Sequence, residues 1–297
     1  MNLFTFIIEK LKSLLKIKTV FIFPKNVELN ENLVFDTDLN KSITLNGVAY
    51  EILKLLNGTN TIDDIVSELL KKYNVKKDVL EKDIKTVISN LQDKNLVESK
   101  IVGNKIAVFF LNLGIFQYIH KKRYSVPKSK TLTFLLLFYI VMKKLFIMWV
   151  ITIIPVCFVI NNFASELNDK IYYAISCYFI FIFAIIFGFV LHEWIHIAVS
   201  KIQKQKFHGY ILSRRFTVSI VKVSTESSLL SILLGPLIPS IIGAIFILIS
   251  INIQSIMTFL IGIGFAINAI NLLPFTQDGK GILGKILMKK LMKGAIK

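Results

Sequence analysis

Cysteine is nearly absent from this chain of 297 residues; Cys157 and Cys177 are the only two. They form no CxxC pair and no metal-ligand spacing, so they read as small, inert residues suited to burial. Acids are scarce as well, with 19 Asp and Glu against 36 Lys and Arg and a net charge of +17. The scarcity is uneven. Residues 19–100 hold 13 acids against 11 bases, whereas residues 101–297 hold five acids against 21 bases. Nucleic-acid binding needs such an excess on a soluble face. Here it lies between and after apolar runs, which argues against a nucleic-acid partner and matches the Lys/Arg enrichment of cytoplasmic loops. Residues 1–18 do not read as a secretory signal either. In residues 1–18, Glu9, Lys10 and Lys12 interrupt the apolar stretch, and no small-residue cleavage site follows.

What is present is hydrophobic: 54% of residues, with a mean hydropathy of +0.63, high for a soluble protein. The uneven charge and apolar content predict two regions of different class, an α+β chain with a small soluble front and a helical, multi-pass membrane part. The expected boundaries are 1–18 for an amphipathic helix, 19–100 for the front domain, 101–130 for a basic juxtamembrane linker and 131–297 for the membrane domain. In the first segment Leu3, Phe6, Ile7, Leu11, Leu14 and Leu15 recur at helical spacing. Such a helix lies on a membrane surface or packs on the domain that follows.

Within 19–43, Val20–Phe23, Leu33–Phe35 and Ser42–Thr44 read as strands, with a turn at 30–32. Three helical patterns follow. The first carries Ile52, Leu53 and Leu56 and stops at Asn57-Gly58. The second starts at Thr61, with Asp64 three residues on, and turns Ile65, Val66 and Leu69 inward. The third carries Val79, Ile84, Val87, Ile88 and Leu91 and stops at Asn95.

A helical span needs about 20 apolar residues. Four stretches qualify: one within 132–160 that Lys143-Lys144 interrupts, then 171–191, 227–252 and 255–273. The segments 101–130, 201–226 and 279–297 are basic; 161–170 and 253–254 are not. That alternation predicts about four spans with the front domain and the C-terminus both cytoplasmic.

The second span runs into His192-Glu193-Trp194-Ile195-His196. Histidines four apart share a helix face and can grip one Zn²⁺, while Glu193 can take a proton from water. A catalytic zinc uses three protein ligands. After Asp169 the chain offers only Glu193, Glu226 and Asp278 as acids. Asp278 closes the fourth span on the same predicted side as the histidines and is the expected third ligand; Glu226, near the start of the third span, is the alternative. His120 and His208 lack helical partners and read as ordinary polar residues. Arg215–Val223 alternates like a strand.

Two resemblances add to this reading. Over about residues 19–100, Leu45-Asn46, Ala49, Ile52, Leu56-Asn57-Gly58, Thr61-Ile62, Tyr73, Asp83 and Leu96-Val97 resemble the PqqD family. That resemblance implies a winged-helix-like domain that takes the leader of a ribosomally made precursor peptide as an added strand. Over about 171–285, the HExxH, Leu234-Gly235-Pro236-Leu237, and Asn271-Leu272-Leu273-Pro274 with Asp278-Gly279 resemble the site-2 protease family (peptidase family M50). This implies zinc held by His192, His196 and Asp278, Glu193 as the catalytic group, and Asn271 as a substrate-binding residue. One departure is that Gln277 stands before Asp278 where that family has an apolar residue, one residue closer to the Asn. The whole chain resembles the peptide zinc metalloproteases of epipeptide gene clusters. The implied function is maturation of a modified precursor peptide at the membrane of a bacterium, with the bilayer, an ABC exporter and a peptide-modifying enzyme as further partners. Release of a membrane-anchored regulator, and non-catalytic peptide binding for self-immunity, are the two other readings open at this point.

Overall fold

The computed structural model describes residue 10 and residues 14–113, 121–163, 169–204, 207–214, 217–223 and 228–294. Most of the expected helix at 1–18 therefore lies outside the described residues. The chain divides into two units: residues 1–125 with 208–221, and residues 126–207 with 222–297. The boundary thus falls at 125, and a segment expected in the membrane domain belongs with the front unit.

In the front unit, β1 (Lys18–Ile22) pairs antiparallel with β5 (Glu98–Val102), and β2 (Val27–Asn30), β3 (Leu33–Asp36) and β4 (Lys41–Thr44) form an antiparallel sheet in that order. Glu31 and Asn32 turn β2 into β3, with Glu31 at φ 34°. Three helices follow: α1 (Gly47–Lys54), α2 (Ile62–Leu70) and α3 (Lys77–Asp93). Asn46 caps α1 through the amide of Ala49. Thr61 and Asp64 close a reciprocal capping box on α2, which satisfies two amides that the first turn leaves open. Gly58 takes φ +80° after α1, and Asn95 takes φ 57° after α3, conformations that glycine and asparagine accept most readily. Ile52, Leu53, Ile65, Leu69, Ile84 and Ile88 form the centre of one apolar core. Val79, expected in that core, is 51% exposed, because it sits in the first turn of α3 ahead of the buried stripe that starts at Leu80.

Beyond β5 runs α4 (Lys105–Leu113), and then β6 (Lys122–Ser125), which pairs antiparallel with β7 (Gly209–Ser213); β8 (Val218–Lys222) lies on the other side of β7. A buried ionic cluster explains why 208–221 folds with the front. The Arg123 guanidinium donates to both Asp36 oxygens (2.8 and 2.5 Å) and to Asp38, and lies 3.8 Å from the centre of the Tyr210 ring. Its backbone amide donates to Glu98 at 2.6 Å, and Asn95 donates to the Tyr210 hydroxyl at 3.2 Å. Burial outweighs these contacts at Glu98 and raises its pKa above the ordinary carboxyl value.

The second unit is helical: α5 (Lys130–Lys144), α6 (Phe146–Phe163), α7 (Asp169–Lys204), α8 (Leu229–Ile253), α9 (Ile256–Ala266), a 3-10 turn (Ile267–Leu272) and α10 (Gln277–Gly294). Two stretches, Ile171–Gln203 and Leu229–Ile253, are long and apolar enough to cross a bilayer. Two more qualify as bent pairs: Lys130–Lys144 with Trp149–Phe158 at 64°, and Ile256–Leu272 with Gln277–Met288 at 41°. The unit thus has two to four candidate spans, and the expected first span is two helices that meet just past Lys143-Lys144. Burial along α8 is inverted relative to a soluble helix. Ser231, Gly235, Pro239, Gly243 and Ser250 face inward, whereas Ile241, Ile245 and Leu248 are half or more exposed. Small residues inside and large apolar residues outside suit close helix packing within lipid and are consistent with membrane association. Cys157, expected to be buried, is exposed on α6, while Cys177 is buried on α7.

A candidate metal centre

The helical period puts His192 and His196 one turn apart on α7, and both are buried. Asp278 arrives from the start of α10. Thr276 holds that start: its carbonyl accepts from Lys280, its hydroxyl accepts from the amide of Gly279, and the same hydroxyl lies 2.7 Å from the carbonyls of Asn271 and Leu273. Residue 279 must be glycine in this turn, because a Cβ there would lie 1.9 Å from the Leu273 carbonyl oxygen.

The result is a tight convergence. Asp278 Oδ2 is 2.9 Å from His192 Nε2 and 3.4 Å from His196 Nε2, and the two Nε2 atoms are 3.1 Å apart. Four ligands at about 2.0–2.1 Å from a tetrahedral zinc stand about 3.3–3.4 Å from one another; one separation equals that edge and the other two fall a few tenths of an ångström short of it. The tautomer fits as well. His196 Nδ1 lies 2.7 Å from the Ser231 carbonyl oxygen, which can only accept, so Nδ1 carries the proton and Nε2 presents a lone pair. That lone pair faces His192 Nε2 and a carboxylate. A single proton can satisfy only one of these pairs, whereas a metal cation satisfies all three. Buried His192 Nδ1 has no hydrogen-bond partner among the described residues, so the polar contacts of this ring are on its Nε2 side.

Other residues support the cluster. Helix α8 passes so close to His196 that a Cβ on Gly235 would lie 2.3 Å from its Cε1 and 2.5 Å from its Nε2. The Leu234-Gly235-Pro236 segment therefore makes room for a ligand ring. Ser200 donates to the His196 carbonyl at 2.7 Å and Ser231 donates to it at 3.0 Å. Lys222 donates to both hydroxyls, at 3.4 Å to Ser200 and 3.2 Å to Ser231. Trp194 fixes α7 against the start of α5 by donating to the Lys130 carbonyl at 2.9 Å.

The structure brings His192, His196 and Asp278 together. Glu193 lies within electrostatic reach of all three and of Lys222. Asn271 is half-buried in the 3-10 turn that leads to Asp278. Glu226 lies outside the described residues, and so do Arg215 and Phe216 of the predicted strand; β8 occupies Val218–Lys222. Sequence reasoning missed Ser200, Ser231 and Lys222. Two of them carried a readable signal: Ser200 is one turn beyond His196, and Ser231 is one turn before Gly235.

Comparison with known proteins bears on the front unit. Residues 31–97 match the profile of the PqqD family, coenzyme PQQ synthesis protein D. The front of the chain is accordingly a PqqD-like domain. One relative is the PqqA binding protein of Gluconobacter oxydans (strain 621H), 27% identical over 85 residues, which are 27% of this chain and 88% of that protein. No solved structure matches the chain.

Proposed function

We propose that the protein is a membrane zinc metalloendopeptidase that matures a ribosomally made, modified precursor peptide. The observation that carries this reading is the convergence of His192 Nε2, His196 Nε2 and Asp278 Oδ2 within 4.8 Å of one another. Those three atoms hold the metal, and a bound zinc supplies Lewis acidity and lowers the pKa of water to about 7. Glu193 takes a proton from the attacking water and passes it to the leaving amine as the peptide C–N bond breaks. Asn271 holds the substrate backbone near the site. Ser231 keeps His196 in the tautomer that leaves Nε2 free.

The PqqD-like domain supports a peptide substrate with a leader. The relative that shares this domain is by name a PqqA binding protein. The leader adds as a strand to an outer strand of the β2–β3–β4 sheet, where main-chain hydrogen bonds give affinity and side-chain pockets give choice. The apolar outer face of α8 supports a place in the bilayer. The basic segments before the first span, in 201–226 and at the C-terminus support four spans with both ends cytoplasmic, in a bacterial cell membrane. An ABC exporter and a peptide-modifying enzyme complete the pathway before and after cleavage.

The test is incubation of the purified, zinc-loaded chain and of Glu193→Gln with the precursor peptide encoded beside it, read by mass spectrometry. A shortened peptide from the wild-type chain alone is expected. Equal peptide masses with both proteins would sink the protease reading.

A further inference from the structure

The metal ligands have a cation standing behind them. The hydroxyls of Ser200 and Ser231 are both placed to donate to the carbonyl of His196. A serine hydroxyl has one proton and two lone pairs. The two oxygens are also buried and 3.2 Å apart, where either can donate to the other. Two protons are thus shared among three contacts, and an outside donor completes the set. Lys222, the last residue of β8, is that donor, with its ammonium group 3.2 Å from Ser231 Oγ and 3.4 Å from Ser200 Oγ. The chain from the ammonium to the metal site is short. Lys222 fixes Ser231, the Ser231 carbonyl fixes the Nδ1 proton of His196, and that proton fixes which nitrogen faces His192 and Asp278.

We propose that Lys222 is a positioning residue of the zinc site, holding Ser200 and Ser231 so that His196 presents Nε2 to the metal. The proposal rests on the zinc reading given above. It assigns the loop between α7 and α8 a part in metal binding, although no ligand comes from it among the described residues. Lys222 acts as a hydrogen-bond donor to the two serines. Its geometric role toward His196 runs through the two hydroxyls.

The test uses the full chain in detergent, with zinc affinity read by chelator competition and ligand geometry read from the visible spectrum of the cobalt-substituted protein. Partners of a metal ligand usually change affinity by about 10–100-fold when removed, so Lys222→Met is expected to weaken zinc binding about tenfold and to shift the cobalt bands. Lys222→Arg, which keeps the charge and the donors, recovers most of the loss. In a Ser200→Ala/Ser231→Ala background the same Lys222→Met costs less than about twofold, since the groups it acts through are gone. Should Lys222→Met not fold, Lys222→Gln takes its place with the same expectation. Wild-type affinity and spectrum in the Lys222 variant, or an undiminished loss in the double-alanine background, overturn the proposal while the zinc site stands. A wild-type chain that takes up neither zinc nor cobalt overturns the zinc reading itself.

Discussion

In the front unit, α2 turns Ile65, Val66 and Leu69 inward and leaves Asp63, Glu68 and Lys71 outside. In the helical unit, α8 does the reverse, burying serine, glycine and proline and exposing isoleucine and leucine. The two patterns are those expected of one rule in two solvents, and the second is consistent with membrane association. In water, apolar burial drives packing and polar groups face out. In hydrocarbon that drive is gone, and helices meet where small residues let backbones approach. Polar chemistry differs in the same way. Ionic groups in the front unit are mostly at the surface, with the Arg123 cluster as a buried exception. In the helical unit His192, His196 and Asp278 converge on one site, as expected where each buried charge is costly and retained for function.

Five substitutions sharpen this contrast. The largest effect falls on the chemistry of the helical unit. On the protease reading proposed above, removing a general base costs roughly 10²–10⁴ in rate, so Glu193→Gln is expected to lower kcat by that range, measured on the precursor peptide, while bound zinc by elemental analysis stays unchanged. Next is the buried cluster of the front unit. Breaking a buried ion pair on one side costs about 3–5 kcal/mol, so Arg123→Met, which strands Asp36 and Asp38, is expected to destabilise that unit by this amount in denaturant unfolding. Third, an arginine near the centre of a span costs about 2.5–3.5 kcal/mol; Ile245→Arg on the outer face of α8 should reduce the membrane-inserted fraction on fractionation of cells. The matching change at an exposed apolar position in water is nearly neutral, within about 0.5 kcal/mol, so Val79→Arg should leave unfolding midpoints almost unmoved. Equal losses from these two substitutions would break the contrast between the units.

The smallest effect concerns pH. Burial raises the pKa of Glu98 in the folded state. A raised folded pKa means that the folded state binds more protons than the unfolded chain between the two values. The contribution of Glu98 to stability is therefore full below the unfolded value of about 4.3 and is lost as pH rises through the folded pKa. Glu98→Gln keeps an acceptor for the Arg123 amide and removes the buried charge. It should flatten the pH dependence of front-unit unfolding above pH ~4.3 and stabilise slightly at neutral pH; a steeper dependence would contradict the assignment.

Local signals were legible in the sequence, and long-range ones were not. The Thr61–Asp64 box, the stop at Asn57-Gly58 and the His192/His196 pair each depend on residues within one or two turns, and each has its structural counterpart. Strand β2 was missed because Val27–Asn30 is four residues long and holds two polar side chains. Strand β6 was missed because Lys122–Ser125 is mostly polar; it is held by Arg123 pairing with Asp36, 87 residues away. No pattern within a window of the sequence carries that pairing. Lys222 was hidden for a related reason, since a lysine at a strand end is ordinary until its ammonium group is seen to meet the hydroxyls of Ser200 and Ser231.

The division of the chain also sets a timetable for its synthesis. A unit that includes residues 1–125 and 208–221 is incomplete until nearly a hundred further residues have been translated. At about 5–20 residues per second, β6 must wait several seconds for β7. During that interval the acid partners of Arg123 on β3 and the turn after it have been made, but the Tyr210 ring that lies over it has not. Helices α5–α7 leave the ribosome before the front unit can close. The first candidate spans are thus made ahead of a finished front unit, and a ribosome that stalls before residue 208 leaves a front half whose third sheet has only one strand.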